Sequence, residues 1–207
     1  MNKLDLTKAF KTYFTAKPKP ELVNIGEAHF ISLTGKGDPS APAFAKNIEA
    51  LYSTAYTIEF VYKAQNMDFV VSKLEGLWWF DETRFPGKNI KTAATEVPRS
   101  EWEYRLLIRM PDFVMAGDIE AAKQTVISKK NIQLAGQVQH FTMNEGKCVQ
   151  MLHVGPFSTE PESLLQIAAF TEQNNLARNG LHHEIYLSDF RKTSPEKLKT
   201  ILREPVR

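Results

Sequence analysis

From Phe44 through Ile48, Leu51, Ala55 and Ile58 to Tyr62, apolar residues recur at intervals of three and four, while Lys46, Asn47, Glu49 and Lys63 fall on the other side. That spacing predicts an amphipathic helix beginning near Pro42. On either side the period changes to two. Leu22–Thr34, Asp68–Asp81 and Trp102–Met110 are rich in β-formers and predict strands, with the turn Gly35-Lys36-Gly37-Asp38-Pro39 before the helix and a turn-rich stretch from Glu82 to Pro98. The first part of the chain therefore reads strand, helix, strand, strand.

The later part repeats the order. Val149–Val154 predicts a strand, Gly155-Pro156 a turn, and a helix follows near Pro161 with Leu165, Ala168, Ala169, Glu172 and Leu176 along one side and Asn179-Gly180 closing it. His182–Ser188 is the matching strand. Ser194-Pro195 then predicts the start of a short helix through Leu198, Ile201 and Leu202, with a terminal strand over Arg203–Arg207 in which Pro205 would sit at an edge. Between the copies, Asp118 is placed to cap a connecting helix carrying Ile119, Ala122 and Val126. Leu4, Leu6, Ala9, Phe10 and Phe14 predict a helix over 3–15, ended by Lys17-Pro18-Lys19-Pro20. The expectation is one α+β domain over 1–207: a first module at about 21–112, a connecting helix at about 113–132 and a second module at about 133–207. Two pseudo-twofold-related strand-helix-strand-strand modules would form an antiparallel sheet with helices on one side and a ligand cleft between the modules.

Charge narrows the function. Lys+Arg number 26 against Asp+Glu 24, a net of +2 with no long block of one sign, so the electrostatic footprint of a nucleic-acid binder is missing and no direct nucleic-acid contact is expected. No apolar run has the length of a signal peptide or a membrane span, which predicts a cytoplasmic chain without a membrane partner. The one cysteine, Cys148, excludes an internal disulfide and a cysteine-based zinc site, and reads as a small buried residue. Adjacent His182 and His183 on a strand point to opposite faces and do not chelate one ion together, so no metal is expected. Neither Gly turn has phosphate-loop spacing, and no cofactor is expected.

Candidate chemistry lies in the strands. Glu75 and Glu184 occupy matched places in the two copies, each in an apolar, aromatic strand. Strand parity groups Glu75 with Leu77 and Trp79, and Glu184 with His182 and Tyr186. Related by a pseudo-twofold, the two carboxylates would flank one aromatic cleft, with Trp79, Tyr186, Trp102, Leu77 and His182 as ligand-binding walls and Trp78 and Phe80 in the core. A carboxylate held among aromatics pays for desolvation and usually has a raised pKa and a function. The competing readings are solvent-facing strand glutamates and ion-pair partners of Arg105 or Arg109.

The strand Lys73-Leu74-Glu75-Gly76-Leu77-Trp78-Trp79, the strand Leu181-His182-His183-Glu184-Ile185-Tyr186-Leu187-Ser188-Asp189, the closing Lys197-Leu198-Lys199-Thr200-Ile201-Leu202-Arg203 and the turn Thr34-Gly35-Lys36-Gly37-Asp38-Pro39 together resemble the GyrI-like small-molecule-binding proteins, particularly their stand-alone branch. The resemblance covers nearly the whole chain and implies ligand binding in the groove between modules. In regulator members a Glu of the late strand, here Glu184, meets cationic aromatic drugs. With no DNA-binding region ahead of it, the chain is expected to be a free-standing sensor or enzyme version. Some stand-alone members hydrolyse cyclopropane-containing genotoxic compounds. For that chemistry the resemblance implies Glu184 as base and Glu75 as the group positioning water or holding a proton. The alternatives are a non-catalytic sensor of flat apolar or cationic molecules, or a domain that binds a protein partner.

Overall fold

A computed structural model of the chain describes residues 3–88, 92–93 and 96–207. Part of the expected Glu82–Pro98 turn region, residues 89–91 and 94–95, lies outside the described residues. Among the described residues six strands, β1 (Glu21–Lys36), β2 (Leu74–Trp79), β3 (Glu103–Arg109), β4 (Gln139–Val154), β5 (His182–Tyr186) and β6 (Lys199–Pro205), pair antiparallel and close into a barrel in the order β1-β3-β2-β5-β6-β4. Each half contributes three neighbours, β1-β3-β2 and β4-β6-β5, and two seams join the halves: β1 against β4 and β2 against β5.

Strand parity sorts the side chains. Phe30, Leu77, Leu107, Cys148, Ile185 and Ile201, one from each strand, share one cluster and so fill the barrel interior. Tyr13 and Phe14 of the N-terminal segment join that cluster. The expected helix over 3–15 is instead two single turns, α1 (Leu6–Ala9) and α2 (Lys11–Phe14), because Phe10 between them leaves helical geometry.

The long helix α3 (Pro42–Ala64) buries Phe44, Ile48, Leu51, Ala55, Ile58 and Tyr62, the stripe expected from its spacing, against the outer face of the first half. The connecting helix α4 (Ala116–Lys130) packs beside it, but Asp118 is its third residue rather than its cap: the Asp118 carboxylate accepts the backbone N–H of Met115. Helix α5 (Glu160–Gln173) covers the outer face of the second half through Leu164 and Ile167, which meet Val149, Met151 and Leu202. Its buried stripe is one residue out of phase with expectation, and Leu165 is exposed. The helix also ends earlier than Asn179-Gly180, where Asn175 enters the left-handed region at φ 53°.

The expected C-terminal helix is absent from the described residues. Pro195–Lys197 makes one 3₁₀ turn, and Ile201, Leu202 and Arg203 then alternate sides in β6, which joins β4 to β5. The Leu198, Ile201, Leu202 spacing fits either period, and pairing with two neighbours decides for the strand. Pro205 stands at the end of β6, where the ladder gives out.

Candidate functional site

The β2–β5 seam sets the site. Gly76 lies opposite Glu184, Leu77 opposite His183 and Trp78 opposite His182. Residues directly opposite one another share a face, so Trp78, His182, Glu184 and Tyr186 point outward between α3 and α5, whereas Glu75, Leu77 and Trp79 point into the barrel. The expectation that Glu75 and Glu184 flank one cleft is thereby corrected. The two glutamates occupy matched places in the repeat, but the register across the seam offsets them by one residue, and one residue reverses the face.

Above the outward face lies a cavity of about 370 Å³, within the range that accommodates a small organic molecule. Phe44 at the start of α3, Trp78, Trp102, Tyr186, Phe157, Phe190 and Leu164 form its apolar walls. Pro39, Ser40, Arg99 and Pro161 complete the lining, and Glu160, Glu184 and His182 supply the buried polar groups. Of the expected residues, Glu184, His182, Tyr186 and Trp102 therefore meet at one cavity. Glu75, Trp79 and Leu77 are not among its lining residues. Trp78, assigned to the core from the sequence, is both buried and a cavity wall.

Both oxygens of Glu184 are engaged. Tyr186 donates its O–H to Oε2 at 2.6 Å, and His182 Nε2 lies 3.1 Å from Oε1. Trp78 in turn donates from Nε1 to the Tyr186 oxygen at 3.1 Å, so the wall holds the phenol that holds the carboxylate. Burial and the Glu184 charge push the Tyr186 hydroxyl well above its ordinary pKa, which keeps it a donor. His182 is 2% exposed; burial works against its charge, but Glu204 and the bonds to Glu184 and Glu204 outweigh this and hold its pKa up to about 10.

Glu160 was not foreseen. It opens α5, is 8% exposed, and its Oε1 has no hydrogen-bond partner among the described residues. Burial first, then the neighbouring Glu184 charge, push its carboxyl well above the usual range, so it is neutral where an ordinary glutamate is ionised. The cavity thus brings together two carboxyl groups in unequal settings, one desolvated with an unpartnered oxygen and one hydrogen-bonded at both oxygens. A sequence signal existed in Glu160-Pro161, since proline favours a first helical turn and places its neighbour at the helix mouth.

Gly76 is the small residue the arrangement needs. A Cβ there would lie 2.8 Å from Trp78 Nε1 and 3.1 Å from the Tyr186 oxygen. Gly76→Ala is expected to part those two groups, costing about 1–3 kcal/mol of stability by overpacking and weakening ligand capture at the cavity. Thermal unfolding and tryptophan quenching by an aromatic ligand check it; an unchanged melting temperature and affinity would show that the close approach is not required.

Glu75 belongs to a second polar network inside the barrel. It accepts from Tyr13 Oη and lies 3.0 Å from His183 Nε2, and His183 Nδ1 is 3.0 Å from Glu145. Arg203 completes the network at 3.0 Å from Glu145 Oε2. Neither Arg105 nor Arg109 is the hydrogen-bonding partner of Glu75: Arg105 donates to Ser32, and Arg109 lies over the rings of Phe10 and Tyr13. Trp79 donates to Glu103 at 3.2 Å. His182 and His183 face opposite sides of β5, and among the described residues no three His, Cys, Asp or Glu side chains are grouped to hold a metal. No helix among those residues is long and apolar enough to cross a membrane.

A doubled antiparallel barrel with a ring-walled acidic cavity between α3 and α5 is the architecture of a small-molecule-binding domain. The model of the GyrI-like small molecule binding domain matches residues 18–207, and the chain belongs to that family. Among solved structures it is similar to an uncharacterized conserved protein from Listeria innocua, 38% identical over 99% of this chain and 100% of that one, with a TM-score of 0.87. It is similar also to a hydrolase from Listeria innocua, again 38% identical over 99% and 100%, at a TM-score of 0.84. The C-terminal domain of EcmrR shares the fold at 12% identity, covering 91% of this chain and 97% of that one, with a TM-score of 0.57. No match is found among curated proteins.

Proposed function

We propose that this chain binds flat, apolar or cationic xenobiotic molecules in its aromatic cavity and hydrolyses those that carry a strained electrophilic ring, such as a cyclopropane conjugated to a carbonyl. The observation that carries the reading is a pair of carboxyl groups in unequal settings at one cavity: Glu160, buried with an unpartnered oxygen and a pKa pushed up by burial and by Glu184, and Glu184, which accepts from Tyr186 and lies 3.1 Å from His182. Paired carboxyl groups in different states divide acid and base work. The hydrolase from Listeria innocua, similar over essentially the whole chain, supports the same direction.

In this reaction Glu184 takes a proton from water as the water oxygen bonds to a ring carbon. The strained carbon–carbon bond breaks, its electron pair flows through the conjugated system to the carbonyl oxygen, and Glu160 delivers a proton there. The product is the ring-opened alcohol, and proton return between the two carboxyls through solvent resets the site. The ring-lined walls exclude bulk water and stack on the planar substrate, so that charge changes occur where the carboxyl groups act most strongly.

Incubation of a planar cyclopropane-bearing enone in ¹⁸O-labelled water tests the reading. Catalytic ring opening with ¹⁸O in the product is expected; tryptophan quenching without turnover would leave a ligand sensor and remove the hydrolase. Glu160→Gln is expected to lower turnover about 10²-fold, the lower end of what a positioned acid supplies, with affinity little changed. Because Glu160 acts in its protonated form, the wild-type rate should fall as pH rises past its elevated pKa. Stability adds a limb of the same sign: the contribution of His182 is complete below about 6.5, its unfolded value, and is lost as pH rises through about 10. A rate that instead climbed steadily into the alkaline range would rule out an acid role for Glu160.

A further inference from the structure

Glu204 lies behind the cavity, outside its lining, and has no place in the reaction above. It is 6% exposed, on the outward face of β6, and its Oε1 is hydrogen-bonded to His182 Nδ1, while the other ring nitrogen of His182 lies 3.1 Å from Glu184. The three side chains form one line from the protein interior to the cavity because β5 and β6 pair with His183 opposite Arg203, which sets His182 and Glu204 side by side on the other face.

We propose that Glu204 is a positioning residue that decides which of the two cavity glutamates is the base: by committing His182 to a donor at both ring nitrogens, it keeps a cation against Glu184 and leaves the shared proton on Glu160. A neutral imidazole has one N–H and one lone pair, so it cannot donate to two carboxylates at once. With a carboxylate on each side, the ring is satisfied only when both nitrogens carry protons. Two carboxyl groups at one cavity titrate as a pair, and burial favours the proton on Glu160. Glu204 adds to that asymmetry, because the His182 it holds lies 3.1 Å from Glu184, whereas the pull of the same ring on Glu160 is outweighed by burial and by the Glu184 charge.

The other charged or titratable groups around this line do not substitute for it. From β5, Tyr186 donates to Glu184 as a neutral phenol. From α5, Glu160, whose carboxyl burial and the Glu184 charge push toward the neutral form, supplies no cation. Arg178, ahead of β5, stands 4.0 Å from Glu204 Oε2 and also reaches Glu82 at 3.4 Å. Arg99 lines the cavity but is largely exposed, and its ion-pair partner is Asp38 at 3.7 Å.

The proposal rests on the hydrolytic reading for its consequence but is measurable without it. In ¹⁵N-histidine NMR of the intact protein, both His182 nitrogens should stay protonated through pH 8, and Glu204→Gln, which keeps size and an acceptor oxygen, should lower the His182 midpoint by about 1–3 units. If the protein turns over a cyclopropane-bearing enone, kcat in Glu204→Gln should match the parent at about pH 6, where His182 is protonated in both. Above the lowered His182 midpoint, where Glu184 has lost its cation, it should fall about tenfold below the parent, with KM unchanged. A His182 in the wild-type protein with one unprotonated nitrogen at pH 7 overturns the proposal with no variant required. So does a Glu204→Gln midpoint equal to the wild-type one. Absence of turnover in both proteins removes the hydrolase, while the NMR midpoint still decides the assignment to Glu204.

Discussion

Glu184→Gln is expected to lower turnover of a strained electrophile by about 10²–10⁴-fold, the contribution of a positioned general base, or about 3–5 kcal/mol of transition-state stabilisation. The substitution keeps the length and planarity of the side chain and removes its capacity to take a proton. It also rearranges the bonds around it. The carboxylate accepts from Tyr186 at one oxygen and from His182 at the other, whereas an amide offers one oxygen and an NH₂ group. One of those donors then faces a donor, and about 1–3 kcal/mol of folding stability is expected to go with the lost bond. Affinity separates the two proposed uses of the cavity. A neutral planar ligand stacks on Trp78, Trp102 and Phe157 and should bind Glu184→Gln nearly as well as the parent, while an aromatic cation loses its counter-charge and should bind more weakly. Single-turnover kinetics with quenching-based affinities on the same samples read both effects. A variant that keeps the wild-type rate would eliminate Glu184 as the base.

The parts of this site that sequence exposed are those that depend on local period. The stripe from Phe44 to Tyr62 sets which side of α3 is buried, and parity along β5 places His182, Glu184 and Tyr186 on one face. What escaped it depends on how separate segments meet. Glu75 and Glu184 occupy equivalent places in the two copies, yet pairing of Gly76 with Glu184 turns them to opposite faces, and no property of either strand alone encodes that offset. Glu160 escapes the sequence because the spacing from Leu165 sets the wrong phase for α5, whereas Leu164 and Ile167 face the sheet and bring Glu160 round to the cavity. The last strand reads as a helix because Leu198, Ile201 and Leu202 satisfy both periods; only the neighbours β4 and β5 show which one applies. Trp78 illustrates a third limit. Its burial was foreseeable from its strand, but its service as a cavity wall follows from Trp102 and Phe44 standing across from it.

The largest expected loss of stability comes from the other side of β5. Arg203 is fully buried, donating to Glu145 at 3.0 Å, to Gln150 at 2.9 and 3.1 Å and to the Tyr13 carbonyl at 2.7 Å, with its guanidinium 4.6 Å from the Tyr13 ring. Arg203→Leu fits the volume approximately and leaves Glu145 in the barrel with His183 as its remaining hydrogen-bonding cationic partner. Breaking a buried pair from one side typically costs about 3–5 kcal/mol, because the charge left behind is still desolvated. Burial alone would raise the Glu145 pKa, but His183 and Arg203 overcome it and hold it down to about 2. Its wild-type contribution to stability is therefore present above its unfolded value near 4.5 and lost as pH falls through about 2. In Arg203→Leu that depression is reduced, so the gap between variant and parent should be widest at neutral pH and narrow on acidification, as the stranded carboxyl accepts a proton more readily. Removing the charge as well should recover much of the loss: Glu145→Gln combined with Arg203→Leu is expected to cost less than the sum of the two single changes, since each single variant strands a partner and the double one does not. Urea unfolding at pH 4 and pH 7 measures all three differences. A single variant within about 1 kcal/mol of the parent at pH 7 would mean that the interior network does not depend on Arg203. The cavity would then owe its shape to the strand register and the aromatic walls alone, without the polar tie that joins α2 to β4 and β6 through Tyr13, Gln150 and Arg203.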